Sequence, residues 1–133
     1  MKELRVEATI ENLSKVQGFV EEFLEEHDCP MKQIITINIA VEEIYVNIAH
    51  YAYAPNTGEA LIQIDAADGE VTIIFEDSGV PYNPLEKADP DVTLSAEERE
   101  IGGLGIFMVK KSMDAMEYEY RDNKNILTLR KRF

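Results

Sequence analysis

The chain has 133 residues, enough for one domain with its own core, and its single cysteine, Cys29, excludes an internal disulfide framework and points to a reducing compartment. With 26 Asp and Glu against 13 Lys and Arg, the net charge of −13 argues against a general polyanion-binding surface and so against direct contact with DNA or RNA. It does not forbid a single phosphate chain held by backbone N–H groups and a cation, and it favours a basic protein partner over a nucleic acid.

Leu4, Val6, Ala8 and Ile10 alternate with Arg5, Glu7 and Thr9, the period-two pattern of a strand with one buried face. Asn12 or Ser14 is placed to cap a following helix in which Leu13, Val16, Val20, Phe23 and Leu24 share a face, while Glu21, Glu22, Glu25 and Glu26 point outward. Asp28-Cys29-Pro30 ends it. A longer helix is predicted from about Met31 to Tyr53, stopping before the turn-forming Pro55-Asn56-Thr57-Gly58. Ile34, Ile37, Val41, Ile44, Tyr45 and Ile48 form its apolar stripe. Glu43 and Asn47, four residues apart, stack about one turn from each other to one side of that stripe and can face one ligand. Taken alone the pair is weak evidence, because most Glu and Asn residues off a helix's apolar stripe are solvated surface.

Leu61-Ile62-Gln63-Ile64 and Val71-Thr72-Ile73-Ile74-Phe75 flank Asp68-Gly69, the dipeptide suited to a two-residue hairpin turn. From Tyr82 to Ile101 the chain holds Pro84, Pro90 and many acids with no apolar period, the composition of a lid or a disordered loop. Gly102, Gly103 and Gly105 introduce a helix from Leu104 to Met113, apolar on most sides and so buried. Met116 to Tyr120 and Ile126 to Phe133 flank Arg121 to Asn125 as a last hairpin. The order of strand, helix, helix, hairpin, lid, helix and hairpin predicts a single α+β domain, a two-layer sandwich of a mostly antiparallel sheet with three helices on one face. No apolar run approaches the roughly 18 residues of a bilayer span, since the stretch from 34 to 54 is broken by Asn38, Glu42, Glu43, Asn47 and His50. The start Met1-Lys2-Glu3-Leu4-Arg5-Val6 lacks a signal-peptide core, so a cytoplasmic protein without membrane contact is expected.

Two further stretches carry chemistry. Period two places Asp77 on the same inward face as Val71, Ile73 and Phe75, and an inward carboxylate needs donors from the protein or from a ligand such as the adenine amino group. Gly79 follows, permitting a turn or a close approach; an ordinary Asp-Ser-Gly turn is the alternative. Gly102-Gly103-Leu104-Gly105 opening a helix can offer N–H groups and a positive dipole end to phosphate, or can act as a plain hinge. It is neither a P-loop nor a dinucleotide-fold glycine motif. His27 and Cys29 do not pair with other ligands at metal spacing, and the five methionines read as core filler.

In this order and spacing the motifs Glu43-x-x-x-Asn47 with Ala52-Tyr53, Asp77-Ser78-Gly79-Val80-Pro81-Tyr82-Asn83-Pro84, and Gly102-Gly103-Leu104-Gly105 continuing to Lys110-Lys111-Ser112-Met113-Asp114 make the chain resemble the anti-sigma factor serine/threonine kinases. These belong to the superfamily of ATP-binding domains shared by gyrase and histidine kinases, and the resemblance covers nearly the whole chain. It implies the histidine-kinase-like ATPase fold, ATP or ADP with Mg²⁺ as cofactors, Asn47 as the metal-binding residue and Asp77 on the adenine amino group. It further implies Gly79 against the base, Gly103, Leu104 and Gly105 on the phosphates, and Glu43 as general base. As partners it implies a sigma factor that the protein sequesters and an anti-anti-sigma antagonist that it phosphorylates, and it allows a homodimer. A non-enzymatic nucleotide-dependent switch and an ATP hydrolase of the same fold are the alternatives. The chain departs from the family where a histidine often follows the asparagine by four residues: that position is Tyr51, and His50 comes one place early. Arg99 is the lid's one arginine candidate for the terminal phosphate but reads rather as a solvated residue of Glu97-Glu98-Arg99-Glu100, and Lys110 and Lys111 read also as cover for a helix end.

Overall fold

The computed structural model describes residues 1–86 and 103–133, so the expected lid lies outside the described residues from position 87 onward. Five strands, β1 (Lys2–Glu7), β2 (Glu59–Ala67), β3 (Glu70–Asp77), β4 (Ala115–Arg121) and β5 (Lys124–Arg132), form one sheet in the order β1-β2-β3-β5-β4. Every neighbouring pair is antiparallel. Three helices cover it: α1 (Leu13–Glu26), α2 (Met31–Asn47) and α3 (Gly103–Ser112), with α2 packed against both others. This is the expected two-layer α+β sandwich.

Alternation decides which sheet face is covered. In β3, Val71, Ile73, Phe75 and Asp77 are buried while their neighbours are half-exposed, and Ile62, Ile64, Leu127 and Leu129 continue the same face on β2 and β5. Against it lie Val16, Val20, Phe23 and Leu24 of α1 and Ile34, Ile37, Val41, Ile44 and Tyr45 of α2. Removing a buried side chain of this size from water is worth about 1.5–3 kcal/mol, so these stripes set how the helices lie on the sheet. Tyr45 adds direction: its ring is fully buried, and its hydroxyl reaches the carbonyls of Thr9 (2.7 Å) and Glu7 (3.1 Å). That ties the last turn of α2 to the end of β1.

Four local features differ from the sequence reading. β1 stops at Glu7, and Ile10 enters a 3-10 turn with its side chain exposed. Asn12 precedes α1 but makes no cap; its amide donates to the Glu7 carbonyl at 2.8 Å. The α-helical part of the central helix ends at Asn47 and widens into a π-helical turn, Ile48–Ala52. Finally, the last hairpin does not turn over five residues. Asp122 and Asn123 alone form the turn, with φ of 54° and 62°, as Asp68 and Gly69 do in the first hairpin with 55° and 76°. Asn125 therefore belongs to β5, buried and opposite Asp77 in the ladder.

Candidate functional site

A cleft opens where the end of α2 and its π turn meet the ends of β3 and β5. Its walls are apolar, from Ile44, Ile48, Phe75, Ile106 and Leu127, and Asn47, Asp77 and Asn125 are its internal polar groups. Mostly apolar walls with a few convergent polar groups are the usual form of a small-molecule site.

Asp77 ends β3 on the inward face, as its period requires, and is only 7% exposed. The protein supplies donors: the Gly79 N–H and the Asn125 amide each reach Oδ1 at 2.9 Å. Burial pushes the carboxyl above its ordinary range, and those two donors pull it partly back. Both bonds end on Oδ1, which leaves Oδ2 as the oxygen for a donor on a ligand.

The loop after Asp77 is held from two sides. From the π turn and the residue after it, the Tyr53 hydroxyl accepts the Ser78 N–H at 2.7 Å and donates to the Glu59 carbonyl at 2.6 Å, while the Ala52 carbonyl accepts the Val80 N–H at 2.9 Å. Gly79 passes so close to this turn that a Cβ there would lie 2.2 Å from the Ala52 oxygen. The close approach expected of Gly79 is thus met by the protein's own backbone. From β5, Asn125 donates to the Val80 carbonyl at 2.9 Å and accepts the Tyr82 N–H at 3.1 Å. Sequence reasoning gave neither Tyr53 nor Asn125 a role. Tyr53 acts through contacts distant in sequence, whereas Asn125 could have been found by placing the turn at Asp122-Asn123, which puts Asn125, Leu127 and Leu129 on one face.

Glu43 and Asn47 lie on one side of α2, as their spacing demands. Asn47 lines the Asp77 cleft, and Glu43, half-buried one turn earlier, points its carboxylate at the first turn of α3. A Cβ on Gly105 would fall 2.2 Å from Glu43 Oε2, so it is the absent side chain that lets helix and carboxylate meet. The position suits both, since the N–H groups of the first helical turn lack intrahelical acceptors and carry partial positive charge. Gly103, Leu104 and Gly105 form that turn. Apolar slot, aimed carboxylate, amide and helix N-terminus together provide for a flat base bearing an amino group and for an anion beside it. Asn47 offers a hard oxygen of the kind that Mg²⁺ takes alongside water and phosphate ligands.

The other candidates sit apart. His50 is exposed, Tyr51 lies at the cleft rim with 61% exposure, and the Lys111 ammonium stands over the Phe107 ring, 5.4 Å from its centroid. Arg99 is outside the described residues. Among the described residues no helix is long and apolar enough to cross a membrane.

Residues 6–131 match the family model of the histidine kinase-like ATPase domain. The chain is 28% identical over 127 residues to an anti-sigma F factor of Caldanaerobacter subterraneus, covering 96% of this chain and 89% of that protein. It is 28% identical over 132 residues to an anti-sigma F factor of Clostridium acetobutylicum, covering 98% and 92%. Over 95 residues it is 28% identical to the serine/threonine-protein kinase BtrW of Bordetella bronchiseptica, covering 71% and 67%. A chain in the crystal structure of the SiaB-SiaC complex from Pseudomonas aeruginosa shares the fold, with a TM-score of 0.61 at 15% identity over 98% of this chain and 89% of that one.

Proposed function

The chain belongs to the family of histidine kinase-like ATPase domains, and from that premise we propose that it is an ATP- and Mg²⁺-dependent protein kinase acting on a serine or threonine of an anti-anti-sigma antagonist, and that in a competing state it sequesters a sigma factor. The names of its relatives, anti-sigma F factors and a serine/threonine-protein kinase, support both halves of this reading. The observation that carries it is Glu43: a carboxylate one helical turn from Asn47, held against the first turn of α3 beside the slot that contains Asp77. Nucleotide binding alone can use Asn47, Asp77 and the glycines without this second acid, so Glu43 favours an enzyme over a passive switch.

In this reading Asp77 Oδ2 accepts from the exocyclic amino group of adenine, and the first-turn N–H groups of Gly103, Leu104 and Gly105 face the phosphates. Asn47 would hold the Mg²⁺ ion, which when bound offsets charge on the phosphate oxygens. Glu43 takes the proton of the attacking hydroxyl as the bond from that oxygen to the terminal phosphorus forms, the bond to the bridging oxygen breaks, and ADP departs.

The test is Glu43→Gln, which keeps size and helix position but cannot take the proton. ATP affinity measured by calorimetry should persist, while transfer of labelled phosphate to the antagonist falls about 10²–10⁴-fold. Full transfer by this variant would remove Glu43 as base. Wild-type protein that binds ATP and partner yet transfers nothing would point to the non-enzymatic switch, and steady phosphate release without added protein would point to a hydrolase.

A further inference from the structure

Asp77 and Asn125 are the two polar residues buried among the described residues, and they are bonded to each other. Asn125 is saturated. Its two amide hydrogens go to Asp77 Oδ1 and the Val80 carbonyl, and its oxygen accepts from the Tyr82 N–H and the Tyr118 hydroxyl. The amide cannot be turned over, because the Tyr82 N–H and the Val80 carbonyl each have one hydrogen-bonding sense and the flipped amide would match neither. With no capacity left for a ligand, this side chain works through what it holds.

We propose that Asn125 is the positioning residue for base selection: it fixes the Asp77 carboxylate with Oδ1 engaged and Oδ2 presented to the ligand, and so sets a preference for a 6-amino over a 6-oxo purine without touching either. The inference rests on the proposed nucleotide site. A carboxylate anchored by the Gly79 N–H alone could rotate about its Cβ–Cγ bond, whereas donors from β5 and from the following loop pin one oxygen. Opposite a pinned acceptor, a 6-amino group makes a hydrogen bond, while a 6-oxo group sets acceptor against acceptor beside a buried carboxylate. Leaving buried polar groups unpaired is what makes such discrimination large. Asn125 also shapes the wall, since Val80 and Tyr82, which it ties down, line the same cleft.

The decisive comparison is Asn125→Val with Asn125→Thr, two side chains of one shape of which only threonine can donate to Asp77. Calorimetric affinities for ATP and GTP are measured from mildly acid to neutral pH, and their ratio cancels titration of the phosphates the two share. Asn125→Val should lower the ATP-to-GTP preference about ten-fold or more, whereas Asn125→Thr keeps most of it. A second readout is the pH at which the preference fails. The preference needs ionised Asp77 and is lost as pH falls through its folded pKa; removing a donor raises that pKa, so the loss moves to higher pH in the valine variant. The other titratable or charged groups around this carboxylate are Tyr53 and Tyr118, both pushed up by burial, and Arg5, Glu59, Glu76 and Lys124 in the adjoining groove. Of these, Tyr118 loses the Asn125 oxygen that accepts its hydroxyl, and loses it in both variants, so that change is shared by the two sides of the comparison.

A purely structural asparagine would lower ATP and GTP affinities together, equally in both variants and with an unmoved pH midpoint, and that result overturns the proposal. Asp77→Asn separates the two levels of inference, because its amide turns a donor towards the base and should erase or reverse the preference. If it leaves the preference intact, the nucleotide reading of the cleft fails. If it erases the preference while Asn125→Val retains it, only the role of Asn125 fails. Should Asn125→Val not fold, Asn125→Ala, which leaves room for water at Val80 and Tyr82, takes its place with the same expected loss.

Discussion

At the Asp77 end of the cleft each backbone N–H from Ser78 to Tyr82 has a partner, Pro81 having none to place; at the Glu43 end a carboxylate meets the first turn of α3 across the space left by one missing Cβ. In the first region Gly79 meets the Ala52 backbone, which cannot give. The second is bounded by the far end of a three-carbon acidic side chain, which can swing. In the function proposed above, base recognition falls to the rigid sheet ends, whereas phosphate and proton chemistry falls to a contact with room to adjust.

Substitutions at the two close-approach glycines set this contrast its strictest test. Gly79→Ala drives a methyl into the Ala52 carbonyl, backbone against backbone, and should cost about 1–3 kcal/mol of stability in thermal or denaturant unfolding, with weakened ATP binding. Tyr53→Phe comes next: it strips partners from the Ser78 N–H and the Glu59 carbonyl, for a loss of about 1 kcal/mol under the same measurement. An unchanged melting curve for both would mean that the clamp is not what holds the Asp77 loop.

Asp77→Asn should act with the opposite sign. The folded-state pKa of Asp77 is raised, so its contribution to stability is fully present below its unfolded value of 3.8 and is lost as pH rises through the folded pKa. Removing the charge should therefore stabilise the fold at neutral pH, with a gain that shrinks on acidification towards that unfolded value. A gain independent of pH would show that burial of this carboxylate costs the fold nothing. Gly105→Ala should have the smallest effect on stability, below about 0.5 kcal/mol, because the Glu43 carboxylate moves aside. The loss appears in phosphoryl transfer instead, with ATP affinity little changed. A large drop in melting temperature would instead make both ends of the cleft equally rigid.

What could be read from the residues divides along the same line. The apolar faces of α1 and α2, the Asp68-Gly69 turn and the inward direction of Asp77 follow from local periods of 3.6 and 2, and all are present. The clamp was out of reach, because Tyr53 acts on Ser78 and Asn125 on Asp77 through contacts spanning 25 and 48 positions, for which no local period exists. Asn125 was also concealed by its type: asparagine favours turns, and Arg121 to Asn125 reads as a loop until Asp122 and Asn123 are both allowed positive φ. Gly79 reads from the sequence as either a turn or a close approach, and the partner, a carbonyl of the π turn after α2, could be supplied only by the tertiary fold.

The π turn after Asn47 changes how distance along the chain converts into direction. In an α-helix the residue standing over Asn47 would be Tyr51; a ladder that closes over five residues carries that place to Ala52, whose carbonyl then faces Gly79 and Val80. The extra residue is a phase shift between the two halves of the site. A one-residue deletion within 48–52 would restore the α-helical phase, swing Ala52 away by about a quarter turn and detach the Asp77 loop, although every chemically active side chain remained in the sequence.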